Sequence, residues 1–130
     1  MEEFFEHIST RDIDLYRHRL HIVVSTNLLV SYKAHIPKGT RTQPIRAMHI
    51  VLDAQGNSMI LLPFDAEPGE IAHECTHCMM HIIEEIGAGY GEEEFVCYLQ
   101  GHLVELCHKA LKDAKKAKKK KKELDIIVNV

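Results

Sequence analysis

The segment IAHECTHCMMHII, from Ile71 to Ile83, concentrates the side chains of this sequence that could do chemistry. It carries His73, His77 and His81 at intervals of four, Cys75 and Cys78 three apart, and Glu74 beside the first histidine. Residues four apart lie one above the other on a helix face, so His73 and His77 can converge on one cation. HECTH is an instance of HExxH, in which two imidazoles hold zinc and the intervening glutamate serves as general base. The chain has ten histidines, so such a pair arises more easily by chance than in an average sequence. The match gains weight from lying inside a segment patterned as a helix, where the chemistry needs it.

The other polar groups of the segment read differently. His81 is eight residues from His73, about 12 Å along a helix axis, too far to share an ion whose bonds are about 2 Å long. It is expected beside the ligands or as a partly buried neighbour. Cys75-x-x-Cys78 has the look of half a zinc or redox motif. On a helical wheel, however, Ile71, Cys75, Met79, Ile82 and Ile86 form one apolar stripe with Cys78 at its edge, and the histidines and Glu84 lie roughly opposite. The thiols are therefore read as core packing. A third metal ligand must come from elsewhere in the chain.

The elements around the segment have to supply it. Pro68, with Asp65, Glu67 and Glu70, suits the start of a helix from about Pro68 to Ile86, and Gly87-Ala-Gly-Tyr-Gly91 stops it. A second helix begins in Glu92-Glu93-Glu94, runs through Phe95, Leu99, Leu103, Leu106 and Ala110, and folds back antiparallel. Its first turn offers three carboxylates, with Cys97 and His102 as rival ligands. Glu94 shares a face with Tyr98, and Gly101 one turn on would let two backbones approach closely.

Upstream, the first eleven residues read as a short helix or mobile arm. Asp12 to Ser25 reads as one long strand or a tight pair. A short helix follows, capped by Asn27 or Ser25, and then a loop from Pro37 to Pro44. The apolar runs Met48–Leu52 and Met59–Leu62 flank Asp53–Asn57 as a hairpin. The strand from Ser58 to Leu62 is expected to offer an edge for an extended peptide. Strands followed by two helices give an α+β fold with a small antiparallel or mixed sheet. Residues 1–112 form one domain, and 113–130 form a Lys-rich tail or helix extension. Within it Lys115–Lys122 is solvated, and Ile126–Val130 is an apolar terminus that either adds a strand or stays loose.

Composition narrows the function classes. Residues 1–108 carry a balance of −9 and residues 109–130 a balance of +6. So acidic a body is a poor nucleic-acid binder, whereas the lysine run could meet nucleic acid, an acidic partner or a second copy. No apolar run is long enough to span a membrane. The start MEEFFEHISTRD lacks the pattern of an export signal, and four cysteines without one suggest a reducing, cytoplasmic setting.

HECTH, a glycine-containing turn and EEEFVCYLQGH together resemble small zincin-type metallopeptidases of phages and prophages. The likeness spans roughly Ile13 to His108 and takes in LHIVVS and the hairpin. It implies a zincin-like minimal fold, a bacterial or phage-infected host cell, one Zn²⁺ per chain and a peptide or protein substrate. Carried over by motif, His73, His77 and Glu94 are the metal ligands, the gluzincin set, and Glu74 is the catalytic base. Two positions depart from the pattern: Cys97 stands where a small residue is expected, and His102 where an aromatic is usual. Tyr98, His102 and Tyr90 are the available oxyanion donors. Two other readings compete. One is a non-catalytic metal-binding interaction module on the same scaffold. The other is a structural protein using Cys75, Cys78, Cys97 and Cys107.

Overall fold

The computed structural model of the chain describes residues 3–13, 17–42, 45–87 and 93–128. Its elements run β1 (Glu6–Ile13), β2 (His18–Ser25), α1 (Leu28–His35), β3 (Met48–Val51), β4 (Asn57–Pro63), α2 (Pro68–Ile86) and α3 (Glu93–Val128). The four strands form one mixed sheet in the order β1-β2-β4-β3. β1–β2 and β3–β4 pair antiparallel, and β2–β4 pair parallel. This is the expected α+β class.

The two central strands are buried on both faces, which is why HRLHIVVS and NSMILLP contain near-continuous apolar runs. Leu20, Ile22, Val24, Ile60 and Leu62 point to the layer of α2 and α3 and join one core with Ile71, Cys75, Ile82, Leu103 and Cys107. Val23, Met59 and Leu61 point the other way and pack on Leu28 and Tyr32 of α1. Asn27 caps α1, its side chain accepting the Val30 N–H at 3.2 Å. Ser31 Oγ donates to Ser25 Oγ at 2.7 Å, fixing α1 to the end of β2.

α2 has the bounds its sequence announces. Pro68 stands at the first turn, the Glu70 carboxylate accepts the Glu67 N–H at 3.0 Å, and Gly87 ends the helix in the left-handed region at φ 71°. Its buried stripe is turned slightly from the expected one. Ile83 is fully buried, whereas Ile86 is 40 % exposed.

Several expectations are corrected. Residues 6–13 of the N-terminal segment are neither helix nor arm but β1, paired along their whole length with β2. The strand is polar because it lies at the sheet's border, where only Ser9 and Ile13 are buried. The segment from Ser58 to Leu62 offers no edge, because β4 is bonded on both sides; on that side of the sheet the border strand is β3. A side chain at Gly101 would meet nothing within 4 Å, so no close backbone approach depends on it. Ile126–Val128 neither add a strand nor stay loose but continue α3, together with the lysine run, which is thus the helix extension of its two readings. The extension is partly seated: Ala114 is buried, Lys118 Nζ lies 4.8 Å above the Phe64 ring, and Lys121 pairs with Glu3 at 3.3 Å. Among the described residues no helix is long and apolar enough to cross a membrane.

One turn has a strict backbone requirement. Gly56 adopts φ 84°, and a Cβ there would stand 2.5 Å from the carbonyl oxygen of Arg17. The Arg19 N–H donates to Gly56 O at 2.7 Å, so the β3–β4 turn is fastened to the start of β2.

Candidate metal centre

α2 lies on the sheet with Ile71, Cys75, Cys78, Met79, Ile82 and Ile83 inward, which forces His73 and His77 to the solvent side. Their Nε2 atoms are 3.2 Å apart. Two nitrogens held about 2.0–2.1 Å from a tetrahedral zinc stand about 3.3–3.4 Å apart, so the pair has the spacing of two ligands on one ion. Glu74 completes a group whose ligand atoms all lie within 4.8 Å of one another. Unlike the two histidines it is buried, at 7 % exposure, and its Oε1 accepts the backbone N–H of His49 in β3 at 3.0 Å.

Beside the group is an open cleft of about 340 Å³ lined by Arg46, Ala47, Gly69, Glu70, His73 and Glu74. Arg46 frames it by donating to Glu70 at 2.7 and 3.0 Å and to Asp65 at 3.0 Å, which ties the approach to β3 to the start of α2. These bonds raise the Arg46 pKa and hold the Glu70 carboxyl below its usual range, the guanidinium being the chief cause. From α3, Gln100 Nε2 donates to Thr76 Oγ1 at 3.0 Å and to Ala72 O at 3.3 Å, so the second helix crosses the first beside the histidine pair.

The remaining candidates are placed as follows. Glu94 stands exposed in the first turn of α3 and is not in the 4.8 Å group. Glu93, Cys97 and His102 are exposed as well, and Tyr98 is 76 % exposed. Glu92 and Tyr90 lie outside the described residues. Cys75, Cys78 and Cys107 are fully buried. Cys75 donates to Cys107 at 3.6 Å, and burial pushes the Cys78 thiol up to about 12. Three of the four thiols therefore face the core and away from the histidines.

A second group was not read from the sequence. His18 at the start of β2 meets His81 and Glu85 of α2, with ligand atoms again within 4.8 Å of one another. His81 is partly buried and lies beside His18, Glu85 and His49. Its ring centroid is 5.6 Å from that of His18 and 5.9 Å from that of His49. Burial, with the nearby imidazoles of His81, His18 and His77, pulls the His49 pKa down to about 4. Burial also lowers that of His18, against the pull of Glu85. The group's residues are 67 positions apart at the extremes, so no local spacing announces it.

Among the described residues, two clusters of nitrogen and oxygen donors are therefore spaced to take a metal ion. Comparison with protein-family models, with curated proteins and with solved structures finds no match to this chain.

Proposed function

We propose that the protein is a zinc-dependent peptidase that works at the His73–Glu74–His77 group. The observation that carries this reading is the 3.2 Å convergence of two exposed imidazole nitrogens with a buried carboxylate between them in sequence. The donor set suits Zn²⁺, which accepts imidazole and carboxylate ligands. A bound divalent cation there supplies Lewis-acid polarisation of water and of a scissile carbonyl. The chain's own part is proton transfer. Glu74, oriented by the His49 N–H on Oε1, takes a proton from the attacking water and returns it to the leaving amine. The third ligand is assigned to Glu94 of α3, which has to swing inward from its exposed position to reach the ion. The cleft at Arg46 and Ala47, next to the border strand β3, is the natural place for an extended peptide.

Zinc-loaded protein is expected to cut an unstructured polypeptide, to stop on chelation, and to lose cleavage in Glu74→Gln while keeping its metal. Cleavage that persists in Glu74→Gln with metal retained removes the glutamate from the reaction. A second reading, a non-catalytic metal-binding interaction module, is favoured by the outward position of Glu94. It is adopted if the loaded protein cuts nothing.

A further inference from the structure

We infer that His18, His81 and Glu85 form a second divalent-cation site, distinct from the His73–His77 pair, that clamps the start of β2 to the C-terminal half of α2. His18 Nδ1 lies 3.3 Å from Glu85 Oε2, and His81 Nε2 lies 3.2 Å from Glu85 Oε1. Both separations match two donors sharing one tetrahedral ion, for which about 3.3–3.4 Å is expected. The set of two imidazoles and one carboxylate suits zinc or a neighbouring first-row dication.

The environment of His18 is that of a ligand. Its side chain is fully buried, and its other nitrogen, Nε2, is 2.7 Å from Ser58 Oγ. A hydrogen bond on the far nitrogen is what fixes the tautomer and the ring plane of a metal-binding histidine. Here it leaves Nδ1 as the ring atom that faces the Glu85 carboxylate, within hydrogen-bond distance of Oε2.

Hydrogen bonds account for His18, which reaches Glu85 through Nδ1 and Ser58 through Nε2, but not for His81. His81 Nε2 is buried, and although Glu85 Oε1 is close, the two atoms are not aligned as a hydrogen bond. The nitrogen's in-plane direction therefore passes beside the oxygen rather than through it. An ion lying off the N···O line is approached by both atoms at once; a proton on that line is not. A buried polar nitrogen without a partner is costly, and metal coordination removes the cost. His49 Nε2, on the ring next to His81, is likewise buried without a hydrogen-bond partner. Entry needs no opening of the core, because the side chains of His81 and Glu85 are 18 % and 22 % exposed.

The consequence is mechanical. The three residues join elements 67 positions apart at the extremes, about half the chain, so an ion bound only by the folded state stabilises the whole domain. The test is metal stoichiometry and thermal stability of the full chain with Zn²⁺ and with Co²⁺. Wild type is expected to bind two ions. The variant His73→Ala/His77→Ala is expected to bind one, and its Tm is expected to rise by about 5–10 °C at hundredfold excess over Kd. Adding Glu85→Gln or His81→Asn to that background abolishes both the ion and the rise. These two partly exposed positions are chosen because truncating the buried His18 risks the fold. The proposal is overturned if the His73→Ala/His77→Ala variant binds no ion. It is equally overturned if Glu85→Gln and His81→Asn leave binding and the Tm rise unchanged. Neither readout depends on peptidase activity.

Discussion

Glu74 Oε1 accepts the backbone N–H of His49 at 3.0 Å, which fastens the middle of α2 to the outer strand β3. A glutamine at position 74 can accept the same N–H through its amide oxygen but cannot carry a proton. If the protein is the proposed peptidase, Glu74→Gln keeps the fold and the metal while slowing peptide cleavage by about 10²–10⁴-fold, the usual contribution of a general base. Mass spectrometry of fragments from an unstructured polypeptide checks the rate, and elemental analysis of the same sample checks the metal. Glu74→Leu, which orphans the His49 N–H, should also lower Tm.

Glu94 is the third ligand of the proposed first site. If it is the third ligand, Glu94→Gln weakens zinc at the His73–His77 pair by at least about tenfold, and competition against a chromogenic chelator measures the change. Run in a His81→Asn background, the titration is free of the second group. An unaltered affinity gives the third position to another residue.

The thiols separate a core role from a metal role. Cys97 is exposed, whereas Cys75, Cys78 and Cys107 are fully buried. The thiolate is the reactive form, and burial raises the Cys78 pKa to about 12, so reaction with a disulfide reagent is suppressed there. In the native protein one thiol is expected to react quickly, and three more only on unfolding. Quick reaction of all four contradicts the packing described for α2 and α3.

Acid should weaken the metal-free fold through its buried histidines. An unfolded imidazole takes up a proton below about 6.5, whereas folded His49 does so only near 4. Between those values the unfolded chain holds more protons. Stability is therefore complete above about pH 6.5 and falls as the pH drops toward 4. His18, also lowered by burial, adds an effect of the same sign. The share from His49 is at most on the order of 3 kcal/mol. Urea midpoints between pH 4 and 7 on metal-free protein measure it, and His49→Gln should flatten the slope. Stability that rises on acidification contradicts this account.

Gly56 gives a stability test remote from either histidine group. With φ at 84° and the Arg17 carbonyl 2.5 Å from where a Cβ would lie, Gly56→Ala is strained in backbone and in space. A loss of about 1–3 kcal/mol is expected, read as a lower Tm with zinc stoichiometry unchanged.

What could be read ahead of the structure follows a physical division. α2 announced itself because its signals are local: Pro68 at one end, Gly87 at the other, and an apolar stripe between. The β3–β4 hairpin was legible for the same reason. β1 was not, because a border strand buries few residues, and EHISTRDI lacks the apolar alternation that marks a strand covered on one face. HECTH supplied the first histidine pair, since an interval of four is a statement about one helix. The His18–His81–Glu85 group was hidden because its geometry belongs to the sheet order: β2 must run beside β4 and under α2 before His18 meets Glu85. The α2–α3 connection involves residues 88–92, so the relation of Glu94 to the histidines rests on tertiary placement rather than on spacing.

At about 1.5 Å per residue, the 36 residues of α3 make a rod of about 54 Å, whereas a compact sphere of 130 residues is about 36 Å across. Gln100 marks where the rod passes the HExxH histidines, and Ile127 lies 27 residues farther, about 40 Å away. Ile126, Ile127 and Val128 are 66–80 % exposed at its far end. The apolar tip of α3 is thus held about a molecular diameter from the histidine pair, and the lysine-rich segment spans that gap as one continuous helix.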